Sequence, residues 1–83
     1  MPYLIVPTEE FRLFLESLDK VTKDRLEKML PWLKENARHC ERLHGYPNRY
    51  KKRIEKFRLI FEIEGNTVYL ICIDKRDIAY RNN

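Results

Sequence analysis

The stretch from Arg49 to Arg81, RYKKRIEKFRLIFEIEGNTVYLICIDKRDIAYR, leaves the chain few folds to choose from, because its pattern is that of paired strands. Phe57, Leu59, Phe61 and Ile63 alternate with Arg58, Ile60, Glu62 and Glu64, the period of two that a half-buried strand requires. Gly65-Asn66 follows as a two-residue turn, since Gly and Asn tolerate positive φ. Val68, Leu70 and Cys72 then resume the alternation. This turn fixes a register: Glu64 faces Thr67, Phe61 faces Leu70, Leu59 faces Cys72 and Arg58 faces Ile73. Cys72 thereby shares a face with Leu59 and Leu70 and reads as a small core residue.

Upstream, Glu55-Lys56 serves as a second two-residue turn, placing Ile54 opposite Phe57 and Arg53 opposite Arg58. Lys51 shares the face of Arg53, because side chains repeat every second residue. Like charges set directly across a sheet are destabilising. A face that gathers cations in this way is one that receives an anion. Glu62 and Glu64 on the face of Arg58 read as charge balance.

The cations are unevenly distributed. Residues 1–36 carry six Lys/Arg against seven Asp/Glu, and residues 37–83 carry eleven against six, so the net charge of +4 resides in the second half. Arg49 to Arg58 alone hold six cations and one acid. Such a distribution fits nucleic acid or an acidic protein partner, and equally a solvated basic face. The 83 residues make one domain, with no apolar run long enough to span a membrane. The amino-terminal segment MPYLIVPTEE has no basic region and no small-residue cleavage site, so no secretory signal is expected. Cys40 and Cys72 are too few for a disulfide framework, and the cytoplasm is the expected compartment.

The first half reads as a support for the meander. Tyr3 to Val6 is a short apolar run, a buried strand that Pro7 ends. Thr8 is placed to cap a helix to about Leu18, with Glu9 and Glu10 in its first turn and Phe11, Phe14, Leu15 and Leu18 at helical spacing. Thr22 is the cap expected for a second helix, whose apolar face is Leu26, Met29, Leu30, Leu33 and Ala37; Pro31 should kink it. Trp32 reads as a core or edge-of-core aromatic. Asn36 to Asn48, punctuated by Gly45 and Pro47, reads as irregular loop. After Asp74 to Asp77, Ile78 and Tyr80 alternate once more as a brief last strand. The expected order is β-α-α-β-β-β, an α+β fold with two helices on one face of a mostly antiparallel sheet and the cations on the other.

Lys51, Arg53, Arg58, Arg76 and Tyr80 form the set with chemical potential. Cleaving RNA through its own 2′-hydroxyl needs a base for the hydroxyl proton, cations around the phosphate, and an acid for the leaving 5′-oxygen. Lysine and arginine can supply most of this without a metal. A lysine crowded by arginines has its charged form disfavoured, which makes it a better base. Tyr80 offers a ring on which an unpaired base stacks. Spacing alone favours the plainer reading, a face that binds phosphate or protein without chemistry. His39, Cys40 and His44 lie close in sequence but lack a fourth ligand at a recognised spacing, so no metal and no other cofactor is expected. No Gly-rich phosphate loop and no nucleophile triad is present.

In this arrangement the sequence resembles the RelE toxins of the RelE/ParE superfamily. The resemblance runs from the first strand through Tyr80. It is most specific in Leu43-His44-Gly45-Tyr46-Pro47-Asn48-Arg49-Tyr50-Lys51, which is similar to the family's leucine-x-glycine-x-proline segment leading into a tyrosine-lysine strand. Phe57-Arg58-Leu59-Ile60-Phe61 is similar to the aromatic-arginine-apolar strand, and Lys75-Arg76 with Tyr80 to the closing arginine and tyrosine. The resemblance implies a ribosome-dependent mRNA endonuclease that cuts A-site codons without metal. It implies that Lys51 contacts RNA and assists the chemistry, that Arg58 stabilises the phosphate, that Arg76 serves leaving-group protonation and that Tyr80 stacks on or orients the RNA. Arg49, Lys52, Lys75 and Arg81 are expected to bind RNA alongside them. The implied partners are an acidic, RelB-like antitoxin, the ribosome and mRNA, with no membrane.

Three departures stand out. Arg53 occupies the position of a lysine proposed as general base, and arginine is not deprotonated at accessible pH. Lys51 or Lys52 would then take that role, or the chemistry is slow. The Ile54 to Phe57 connection is shorter than in the family pattern, and no helix is expected after the last strand, the region an antitoxin helix commonly exploits. Two rival readings remain open: a ParE-like inhibitor of DNA gyrase, and a catalytically weakened toxin that acts as co-regulator with its antitoxin.

Overall fold

The computed structural model describes residues 2–74 of the chain, so the expected last strand, with Lys75, Arg76, Tyr80 and Arg81, lies outside the described residues. Elements follow in the order β1 (Leu4–Pro7), α1 (Glu9–Ser17), α2 (Lys20–Asn36), a 3₁₀ turn (Ala37–His39), β2 (Glu41–Arg42), β3 (Arg49–Ile54), β4 (Phe57–Glu64) and β5 (Thr67–Asp74). The five strands form one sheet in the order β1-β5-β4-β3-β2, antiparallel except for β1 against β5. This is the α+β layer expected from the pattern.

Each turn obeys its chemistry. Ile54 pairs with Phe57 and Arg53 with Arg58 across Glu55-Lys56, while Glu64 pairs with Thr67 across Gly65-Asn66. Gly65 takes φ +61° and Glu55 takes φ +55°, so the second turn holds a non-glycine residue in the left-handed region. The expected register on β5 holds only as far as Phe61 opposite Leu70. Beyond it a bulge intervenes, and Ile60 faces Cys72, Leu59 faces Ile73 and Arg58 faces Asp74. The extra residue on β5 inverts the faces from there on. Ile73 turns into the core, at 4% exposure, and Cys72 does not: it lies half-buried on the other face, correcting its expected core position.

The core is a single cluster between the helices and one sheet face. Phe11, Leu18, Leu26, Leu33 and Ala37 meet Tyr50, Leu59, Phe61, Ile63, Val68 and Leu70 there. Burying such side chains stabilises by about 1.5–3 kcal/mol each. Ile60 is buried too, but on the face turned away from this cluster.

Other details correct the expectation. β1 is an edge strand with Leu4 exposed, not a buried one, because only β5 flanks it. Trp32 is 41% exposed, and the Lys52 ammonium lies 4.5 Å from its ring centre. Part of the expected loop forms β2, paired with β3 at Glu41–Lys51 and Arg42–Tyr50.

The caps are the local reason the helices start where they do. Thr8 accepts a hydrogen bond from the Phe11 amide at 3.2 Å, and its hydroxyl donates to the Leu70 carbonyl at 2.7 Å, joining the start of α1 to β5. Asp19, rather than Thr22, caps α2 by accepting from the Thr22 amide at 3.2 Å. The hydrogen bonds from Thr22 hold the Asp19 carboxyl below its ordinary value of 3.8. A depressed carboxyl contributes stability that is full above its unfolded value and is lost as the pH falls through the folded one. Asp19→Ala is therefore expected to lower the melting temperature at pH 7, with the difference from wild type shrinking as the pH drops below 3.8; thermal unfolding followed by circular dichroism at pH 7 and pH 2.5 checks it.

Candidate nucleic-acid interface

The sheet face away from the core is built in three cross-strand rows. Arg53, Arg58 and Asp74 form one, Lys51, Ile60 and Cys72 the next, and Arg49, Glu62 and Tyr69 the third. Arg49, Lys51, Arg53 and Arg58, all expected at the site, are thus brought together. Period two places them there: Arg49, Lys51 and Arg53 alternate with the buried Tyr50 and Ile54.

Each cation has a counterpart. Arg58 donates through Nη2 to Asp74 Oδ2 at 3.0 Å, with the two side chains 18% and 21% exposed. Arg49 donates through Nε to Glu62 Oε1 at 3.3 Å, and its guanidinium carbon lies 4.9 Å from the centre of the Tyr46 ring. Lys51 Nζ lies 3.7 Å from Glu41 Oε2, a carboxylate that is 76% exposed and so only weakly held. Arg53 donates through Nε to the Glu55 carbonyl at 3.3 Å, in the turn it adjoins. The facing arginines therefore reach different acceptors, which offsets the repulsion between them. Glu55 also pairs with Arg25 of α2, tying that turn to the helices.

Between these rows lies a shallow depression of 390 Å³ with an apolar floor and a charged rim. Ile60, Cys72 and Phe14 supply apolar surface, Arg49, Arg58 and Asp74 the charge, and Leu43, His44 and Tyr46 a wall from the loop before β3. Burial, with the Glu10 and Asp74 carboxylates adding to it, pushes the Cys72 thiol above its ordinary value of 9.0. A second, mostly apolar groove of 740 Å³ runs between α1, α2 and β1, away from the cation rows.

Lys52 is the described site residue that stands apart. It pairs with Leu59 on the helix side of β3, and its ammonium sits over Trp32. Glu41, His44, Tyr46 and Asp74 are additions the pattern did not supply. Glu41 was hidden in a segment read as loop, and Asp74 in a register that the bulge displaces. A signal for Asp74 did exist: Ile71-Cys72-Ile73 breaks the alternation of β5. Among the described residues no three of His, Cys, Asp or Glu converge as a metal site, and no helix is long and apolar enough to cross a membrane.

No protein-family model matches the sequence, and no curated protein matches it either. Solved structures do. A mutant of the E. coli toxin RelE in the free state superposes with a TM-score of 0.81 over 96% of this chain and 90% of that one, at 22% identity. The RelBE2 toxin–antitoxin complex of Mycobacterium tuberculosis gives a TM-score of 0.80 over 89% of this chain and 98% of that one, at 20% identity. The RelB–RelE complex of Methanococcus jannaschii gives 0.72 over 93% and 96%, at 17% identity. The architecture is that of the small α+β toxins seen in toxin–antitoxin complexes. The chain has the RelE fold.

Proposed function

We propose that this protein is the toxin of a type II toxin–antitoxin pair and acts as a ribosome-dependent mRNA endonuclease. The observation that carries the reading is the row structure of the outer face: Arg49 and Arg58 line one depression, Lys51 and Arg53 stand on the same face, and Arg49, Lys51 and Arg58 are balanced by carboxylates rather than by a fixed core. A phosphate diester replaces those carboxylates with its own charge. The Arg58 fork holds the non-bridging oxygens as the neighbouring 2′-hydroxyl attacks, and the rate gain comes from positioning and charge. Lys51 and Arg53 hold the flanking backbone. Arg76 and Tyr80, through the resemblance, supply leaving-group protonation and stacking. An acidic, RelB-like antitoxin neutralises the protein by covering the same cations.

Primer extension on an mRNA, with purified protein and with or without programmed ribosomes, tests this. The expected result is cuts within the A-site codon only when ribosomes are present, absent in Arg76→Ala. No cut under either condition would overturn the reading, and a supercoiling assay would then examine gyrase inhibition.

A further inference from the structure

Cleavage through the 2′-hydroxyl requires a group that accepts its proton, and the described cation rows are poor in such groups. Arg49, Arg53 and Arg58 cannot accept one. The Lys51 ammonium has donors and no acceptor, and Asp74 accepts a hydrogen bond from Arg58 at 3.0 Å. Glu62 accepts from Arg49 at 3.3 Å, and Cys72, half-buried, has its thiol pushed up. The remaining walls of the depression with polar side chains are His44 and Tyr46, and of the two the neutral imidazole carries a ring-nitrogen lone pair that accepts a proton.

His44 does not merely drift past the site on an open loop. The Tyr46 amide donates to the Leu43 carbonyl at 3.3 Å, closing a four-residue turn with His44 second and Gly45 third. Gly45 takes φ +89°, the angle that a type II turn demands of its third residue. The Leu43 amide donates to the Arg49 carbonyl at 2.8 Å, and the Tyr46 ring rests against the Arg49 guanidinium. The turn is therefore pinned at both ends to the strand that carries the cations.

We infer that the imidazole of His44 is the proton acceptor for the 2′-hydroxyl, seated on the wall of the depression that Arg58 also lines. This rests on the endonuclease reading above. A ring nitrogen takes the hydroxyl proton, and O2′ forms a bond to phosphorus. The bond from phosphorus to O5′ breaks, its electron pair leaving on O5′, which takes up a proton from the leaving-group donor proposed above, Arg76, itself reprotonated from water. The products are a 2′,3′-cyclic phosphate and a 5′-hydroxyl, and the imidazolium returns its proton to water. Arg49, Arg58, Asp74, Cys72 and Tyr46 are the described charged or titratable groups that share the depression with the ring.

Single-turnover cleavage on programmed ribosomes, from pH 5.5 to pH 8, tests the assignment. A base must be unprotonated, so the wild-type rate is expected to rise about tenfold per pH unit at low pH and then level off. His44→Gln is expected to be about 100-fold slower with unchanged ribosome binding, and to lose that limb. His44→Ala is expected to regain rate on addition of free imidazole, a rescue that a purely structural role would not give. A wild type that cuts, beside a His44→Gln that cuts at the same rate with the same profile, overturns the inference alone. A wild type that never cuts overturns the endonuclease reading together with it.

Discussion

Arg58→Ala is expected to lower ribosome-dependent cleavage by about 10²–10³-fold, the cost of removing one preorganised donor to developing charge. The position earns this because Arg58 lies on the central strand β4, partly buried, with its guanidinium fixed by Asp74. A pre-positioned fork loses little freedom when it takes a phosphate. Arg58→Lys keeps the charge but loses the bidentate geometry, so it should fall between wild type and the alanine variant. Stability moves in two opposing ways. The loss of a charge-assisted hydrogen bond to a half-buried carboxylate costs about 1.5–3 kcal/mol, while the like-charge pairing with Arg53 disappears and returns up to about 1 kcal/mol. The net is a fall of about 0.5–3 kcal/mol, small enough that the variant stays folded and its loss of activity can be read as chemistry. Asp74→Asn separates the two effects. It retains Arg58 and most of the fold, so its cleavage should stay within about tenfold of wild type. Cleavage by Arg58→Ala at the wild-type rate, with a confirmed fold, would remove the phosphate role from this residue.

The legible part of this fold follows a simple division. Whatever depended on a tight turn and a period was legible. Glu55-Lys56 and Gly65-Asn66 each set a register, and from them the Arg53–Arg58 and Phe61–Leu70 pairs follow by counting. The helix face of Leu26, Leu33 and Ala37 follows from spacing in the same way. What depended on a single irregularity was not legible. One bulge after Leu70 turns Cys72 out and Ile73 in, because a one-residue slip reverses every later side chain. Asp19 as cap was masked by the equally suitable Thr22, and the two differ only in where the chain leaves Leu18. β2 is two residues long and carries no period, so Glu41 escaped notice although it faces Lys51. Lys52 was drawn into the cation set by composition, whereas its parity with Tyr50 and Ile54 assigns it to the helix side. The candidate site is therefore half-legible: the placing of its strand residues on one face follows from parity, and its loop wall of His44 and Tyr46 needs three dimensions.

Phe61→Ala is the substitution expected to cost the most stability. Phe61 is fully buried at the centre of β4, opposite Tyr50 on one side and Leu70 on the other. Its ring lies 5.8 Å from that of Tyr50, at 14° between planes. Truncation removes the transfer free energy of the ring and leaves a cavity between strands whose backbone hydrogen bonds prevent collapse, about 3–5 kcal/mol in all. Loss of the aromatic pair adds to the upper end of that range. A domain of this size is stable by roughly 4–12 kcal/mol, so the variant lies near the edge of folding. Its melting temperature should fall by about 20 °C, taking roughly 4–8 °C per kcal/mol for a chain of this length. Phe61→Leu keeps most of the volume and should lose less than half as much. Leu13→Ala is the contrast: Leu13 is 64% exposed on α1, and its truncation should stay within about 0.5 kcal/mol of wild type. Thermal unfolding of the three variants measures the ordering directly. Because β4 carries Arg58 on its other face, Phe61→Ala should also lose cleavage as the temperature rises, at the point where it unfolds and not before. A Phe61→Ala that melts within a few degrees of wild type would mean that the core of this fold is not centred on β4.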